Sequence, residues 1–110
     1  MMKTGEALPS EILSQLGRIG YGIKTARMRR RMTQEALAER VGTSWHTIRK
    51  IEKGSPVTGI GYYLKALWVL GLFDDVRLLA DPERDREGII LESAARGTRA
   101  RPRRTLDRDF

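Results

Sequence analysis

The sequence predicts an all-α fold of five helices, and three observations support this prediction. Apolar residues recur at intervals of three and four over positions 12–80, the spacing of helices that bury one face. Gly and Pro residues divide this pattern into short segments. Thr33 and Ser44 precede two of the segments, and both residue types favour helix N-caps because the hydroxyl accepts a backbone N–H.

The first helix is predicted over residues 12–30, with Ser10 as its N-cap. Its apolar positions follow the helical spacing through Ile12, Leu16, Ile19, Ile23, Ala26 and Met28. Glycines at positions 17, 20 and 22 weaken the early part, because Gly is a poor helix former. We therefore expect this part either to fray or to pack closely against another element.

Two short helices joined by a tight turn come next. Thr33 begins the second helix, which extends to about Val41 and stops at Gly42, a residue that adopts positive φ at little cost. The third helix is predicted over residues 45–53 and closes at Gly54, with Pro56 preventing any continuation. Two helices in this relation form a helix-turn-helix.

A fourth helix is predicted over residues 60–70, ending at Gly71, and a short fifth helix over 72–80, ending at Asp81-Pro82. Five residues of the fourth helix are candidates for burial: Ile60, Leu64, Leu67, Trp68 and Leu70.

The predicted domain organisation has three parts. Residues 1–11 form a flexible lead, residues 12–82 form the helical domain, and residues 83–110 form a charged extension. Within the extension, residues 89–91 are apolar and predict a short helix or strand. From Gly97 onward the segment has too little apolar surface to offset the entropy of ordering, so we expect a flexible basic tail.

The charge balance indicates a polyanionic partner. The 110-residue chain has 21 Lys and Arg against 14 Asp and Glu, giving a net charge of +7. Basic residues concentrate at positions 24–31, in Lys24, Arg27, Arg29, Arg30 and Arg31, and again in the tail. With no cysteine, the chain has no disulfide and no thiolate metal site. No apolar run approaches the ~18 residues of a membrane span, so we expect a cytoplasmic protein that associates with the nucleoid when bound to DNA.

The central segment resembles the Cro/C1 or XRE type of helix-turn-helix. The residues that carry the resemblance are Thr33-Gln34, Leu37-Ala38, Gly42, Ser44, Ile48, Ile51-Glu52 and Gly54. The resemblance implies a lambda-repressor-like DNA-binding domain in which the third helix lies in the major groove and the second crosses the DNA backbone.

Side chains at the start of the third helix point away from its apolar face, which makes Trp45, His46 and Arg49 the predicted base contacts. The guanidinium fork of Arg49 matches guanine O6 and N7. Gln34 is predicted to contact a phosphate and to brace these side chains. The full set of predicted backbone contacts is Thr33, Gln34, Thr43, Ser44, Thr47, Lys50 and Lys53.

Some of these residues also allow a purely structural interpretation. Trp45 is alternatively a partly buried packing residue. His46 is not expected to bind metal, because no second His or Cys completes a site. Trp68, with Leu64, Leu67 and Phe73, forms either core or part of a dimer interface. No residue pattern supports an enzyme, and we expect no cofactor.

The layout of the C-terminal third resembles HipB-type antitoxins, through the segment GLFDDVRLLADPERD and the Arg-rich tail. The resemblance implies a homodimer that binds a palindromic operator, represses its own operon and inactivates a HipA-like serine/threonine kinase toxin. The alternative is a stand-alone phage-type repressor or a restriction-modification controller.

The tail itself has three possible roles. It is predicted to bind either DNA phosphates or an acidic toxin surface, and a purely solubilising tail is the third interpretation. The candidate toxin contacts are Arg101, Arg103, Arg104, Leu106 and Phe110.

Overall fold

The structure is a computed structural model that describes residues 8–99, and the described chain is helical without strands. It contains five α-helices: α1 (Ser10–Arg29), α2 (Gln34–Val41), α3 (Trp45–Glu52), α4 (Ile60–Val69) and α5 (Arg86–Arg99). Two short 3-10 helices, Asp75–Leu78 and Pro82–Arg84, lie between α4 and α5. The predicted all-α class with five helices is confirmed.

The chain divides into two compact units between Val76 and Arg77. The first unit contains α1 to α4, and the second contains α5. The predicted domain boundaries at residues 11 and 82 stay predictions, and the tail from Ala100 onward lies outside the described residues.

The core of the first unit is formed by the apolar faces of its four helices. Pairs of apolar residues spaced three or four apart bring these faces together, because such residues share one side of a helix. The buried side chains are Ile23, Ala26, Leu37, Ala38, Val41, Ile48, Ile51, Tyr63, Ala66 and Leu70. Leu37, Ala38 and Val41 of α2 and Ile48 and Ile51 of α3, whose spacing in the sequence predicts one buried face for each helix, are all buried.

The caps of α2 and α3 follow the sequence prediction. Thr33 Oγ1 accepts the N–H of Ala36 at 3.0 Å, and Ser44 Oγ accepts the N–H of Thr47 at 3.2 Å. The turn between the helices passes through Gly42 with φ of +85°. The expectation for Ser10 was wrong: Ser10 is the first residue of α1, and no side chain caps this helix.

The glycines early in α1 allow a close approach to α3. A Cβ on Gly20 would overlap the carbonyl oxygen of Ile51 and lie 2.8 Å from the carbonyl oxygen of Glu52. Gly54, with φ of +77°, is similarly close, since its Cβ would lie 2.7 Å from Gly17 Cα. Close packing, and not fraying, is therefore the outcome for this part of α1.

The predicted helix over residues 72–80 is wrong in its type. The segment forms only the 3-10 helix Asp75–Leu78, with an i to i+3 bond of 3.0 Å from the N–H of Val76 to the carbonyl of Phe73. Gly71, with φ of +80°, and Ala80, with φ of +57°, interrupt helical geometry at both ends. Between these two positions the chain forms a 3-10 helix with i to i+3 bonds and no α-helix.

In the second unit, residues 89–91 lie in a helix, which is the first of the two predicted alternatives. This helix, α5, is longer than expected and continues through Gly97 to Arg99. An ion pair of 2.9 Å between Arg96 and Glu92, spaced i to i+4, stabilises it modestly.

Two apolar residues of α4 were wrongly assigned to the core. Ile60 is 68% exposed and Trp68 is 61% exposed. Leu64 and Leu67 are half-buried, and Leu70 is buried as expected. One face of α4 therefore presents apolar side chains to solvent.

Candidate nucleic-acid interface

A buried ion pair connects α1 to the end of α3. Arg27 Nε lies 2.6 Å from Glu52 Oε2, and a second Arg27 nitrogen donates to Glu52 Oε1 at 3.1 Å. The third guanidinium nitrogen donates to the carbonyl of Met32 at 2.8 Å, in the connection between α1 and α2. Arg27 and Glu52 are only 8% and 9% exposed, so each charge depends on the other for compensation.

The network continues from this ion pair to the start of α3 through one amide side chain. Gln34 Nε2 donates to Glu52 Oε1 at 2.9 Å, and Gln34 Oε1 accepts the indole N–H of Trp45 at 2.9 Å. Because the amide uses its donor on one side and its acceptor on the other, its orientation and that of Trp45 are fixed together. The predicted bracing by Gln34 thus has a specific geometry in the structure.

The three predicted base contacts lie side by side. The Arg49 guanidinium carbon is 4.8 Å from the centroid of the Trp45 ring, within cation–π distance. The His46 ring packs edge-on against the same indole, with centroids 4.8 Å apart. Arg49 and His46 are exposed while Trp45 is half-buried. Trp45 is therefore a partly buried anchor against which two exposed side chains pack.

The remaining predicted contacts surround this cluster in the chain. Lys50 and Lys53 are exposed, and Thr43 and Thr47 are half-buried. Ser44 Oγ also lies 3.1 Å from Thr47 Oγ1, so its hydroxyl already has a partner. Their contacts to DNA stay predictions. The candidate toxin contacts at residues 101–110 lie outside the described residues.

The sequence analysis missed the roles of Arg27 and Glu52. It counted Arg27 among the basic residues that indicate a polyanionic partner, but Arg27 is buried and paired with Glu52. Arg30 is also engaged, since it donates to the carbonyl of Ala26 at 2.8 Å. One signal was present: Arg27 lies four residues after Ile23, on the apolar face of the first helix.

None of the helices in the described part of the chain is long and apolar enough to cross a membrane.

Comparison with known proteins gives one family. No curated protein and no solved structure matches the chain significantly. A family model described as "Helix-turn-helix domain" matches residues 18–80, more than half of the chain, and this range covers α2, α3 and α4 entirely. The chain belongs to the helix-turn-helix domain family, and this membership indicates a DNA-binding regulator.

Proposed function

We propose that this protein is a transcriptional repressor that binds double-stranded DNA in a sequence-specific manner, with α3 in the major groove. The observation that carries the proposal is the network from Arg27 through Glu52 and Gln34 to Trp45, because it fixes the side chains at the start of α3. Preorganised side chains lose less entropy on binding.

The proposed base contacts follow from the chemistry of the cluster. Arg49 donates two hydrogen bonds to guanine O6 and N7, and its packing on Trp45 restricts the guanidinium before DNA arrives. Trp45 provides apolar contact to a thymine methyl or to the sugar-phosphate backbone. His46 donates or accepts a hydrogen bond at a neighbouring base.

Backbone contacts provide the rest of the affinity. The net charge of +7 favours association with DNA, and exposed Lys50 and Lys53 lie on the recognition helix and its C-cap. Such contacts add affinity that depends on salt and carry no sequence information.

A matched pair of substitutions tests the base contact. With a duplex enriched from a random library as the probe, Arg49→Ala should cost roughly 1–3 kcal/mol and relax the preference at one base pair. Lys53→Ala should weaken the enriched and scrambled duplexes equally and reduce the salt slope by about 1. Equal losses of Arg49→Ala on both duplexes would contradict its assignment as a base contact.

We extend the proposal to a homodimer on a palindromic operator, since a two-fold dimer places two recognition helices about one helical turn apart on DNA. In this extension the protein is the antitoxin of a type II toxin-antitoxin operon and inactivates a HipA-like kinase. The support is the separate C-terminal unit, where α5 exposes Ile90 and Leu91, followed by an Arg-rich tail.

The antitoxin role has its own test. Purification of the tagged full chain from its native host should recover a serine/threonine kinase encoded by a neighbouring reading frame. Recovery of DNA without a kinase, together with an isolated gene, would instead support a stand-alone repressor or a restriction-modification controller.

A further inference from the structure

The outer face of α4 is an apolar surface that the first unit leaves open. It consists of Ile60, Gly61, Leu64 and Trp68, which we call the α4 stripe. Helical spacing of three and four places these residues on one side of α4, away from buried Ala66. Large exposed apolar side chains in such proximity mark interaction sites more often than isolated ones do.

The charges of α4 determine what kind of partner fits. Lys65 is the only charged residue of the helix, and its Nζ lies 3.6 Å from the position of a Cβ on Gly42, at the end of α2. The stripe thus offers no cation to a nucleic acid and no group that would pair with a charged protein surface. Two copies that each carry +7 repel one another, and an uncharged surface is where they can approach.

We propose that the α4 stripe pairs in antiparallel orientation with the α4 stripe of a second copy, across a two-fold axis near Leu64. Such an interface is isologous, so the same surface must complement itself. With the axis between positions 64 and 65, Trp68 of one copy lies opposite Gly61 of the other. A Cβ on Gly61 would meet nothing within 4 Å, which leaves room for the indole.

The type of side chain exposed on the stripe agrees with this occupant. Trp68 is 61% exposed, and Trp is one of the residue types enriched at the energetic centre of protein interfaces. Two further apolar residues are exposed near the helix in the sequence: Val57, before α4, is 68% exposed, and Leu72, after it, is 39% exposed. The pairing rests on the proposed function in one respect: that function expects the protein to bind DNA as a two-fold dimer.

Sedimentation of the full chain without DNA tests the pairing. The wild type should form a dimer, and Trp68→Ala should weaken self-association by at least about 30-fold. Gly61→Glu should also yield monomers while the fold is retained, because Glu is a better helix former than Gly and an acidic residue suits the first turn. Gly22→Glu is the matched control, since Gly22 is an exposed helical glycine whose Cβ would also meet nothing within 4 Å.

Crosslinking identifies the surface independently. The chain has no cysteine, so a single Leu64→Cys substitution can form a disulfide only with a second copy. Oxidation should convert this variant to covalent dimers, whereas Met28→Cys, at a 57% exposed position on α1, should give no covalent dimer.

Two outcomes would overturn the pairing. A wild type that stays monomeric at every concentration would contradict the pairing. A dimer that is unaffected by Gly61→Glu would place the interface elsewhere. Because these assays contain no DNA, failure of DNA binding alone would reject the proposed function and leave the pairing intact.

Discussion

Two regions of the first unit depart in opposite ways from the usual pattern, in which charged residues are exposed and large apolar residues are buried. Between α1 and α3, the charged pair Arg27 and Glu52 is buried. On the outer side of α4, the apolar residues Ile60 and Trp68 are exposed. Folding alone favours neither arrangement, because buried charges lose hydration and exposed apolar groups gain nothing. Both arrangements fit the two proposals above: the buried pair would orient the start of α3 for DNA contact, and the outer face of α4 is the surface proposed to pair with a second copy.

The largest effect is expected from removing one member of the buried pair. Glu52→Ala leaves the Arg27 charge uncompensated and breaks the bond to Gln34, so it should lower the free energy of unfolding by about 3–5 kcal/mol. Chemical denaturation measures this change. Glu92→Ala removes an exposed ion pair and should have almost no effect, because solvent screens it. Similar losses for both variants would show that burial does not distinguish the two pairs.

The next effect concerns the close contact between α1 and α3. Gly20→Ala places a methyl group against the backbone of Ile51 and should destabilise the fold by about 1–3 kcal/mol. Gly22→Ala, on the same helix without such a contact, should instead stabilise it by roughly 0.5–1 kcal/mol through helix propensity. Thermal unfolding of both variants gives the signs. A stabilising Gly20→Ala would mean that the helices are not held this closely.

The smallest effect comes from the inner side of α4. The Tyr63 hydroxyl donates to the carbonyl of Ser55 at 2.7 Å, so Tyr63→Phe should cost about 1 kcal/mol near neutral pH. Burial raises the pKa of the Tyr63 phenol above its ordinary value of 10.0. The stabilisation from the neutral phenol is thus complete below pH 10.0 and is lost as the pH rises through the raised pKa.

The stability gap between the wild type and Tyr63→Phe should therefore shrink above pH 10.0. Melting temperatures of both proteins over a pH series measure this gap, and subtraction removes the titration of the other tyrosines and of lysines. A constant gap across the series would contradict the role of burial.

Local sequence signals predicted the helix-turn-helix well. Thr33 and Ser44 occupy the predicted caps, and Gly42 has the predicted positive φ. These features depend on residues within one helical turn, so the sequence alone is sufficient to place them. The predicted base contacts Trp45, His46 and Arg49 lie together for the same reason, although their contact with DNA stays a prediction.

Two errors have different causes. The apolar spacing of α4 was correct, but spacing does not show which side of a largely apolar helix meets the core, and Trp68 was misplaced because distant residues decide this. The error over residues 72–80 is local: the spacing is helical, but the backbone has positive φ at Gly71 and Ala80, and the segment between them forms only a 3-10 helix.

The sequence by itself determined α1 to α4, the caps of α2 and α3, the turn at Gly42 and the basic character of the chain, because these depend on residue type and short-range spacing. Only the tertiary structure decided that Arg27 pairs with Glu52, 25 residues away, and that Gln34 transmits this contact to Trp45. It also decided which face of α4 stays open. Contacts between residues far apart in the chain depend on how helices pack, and local propensity carries no information about that packing.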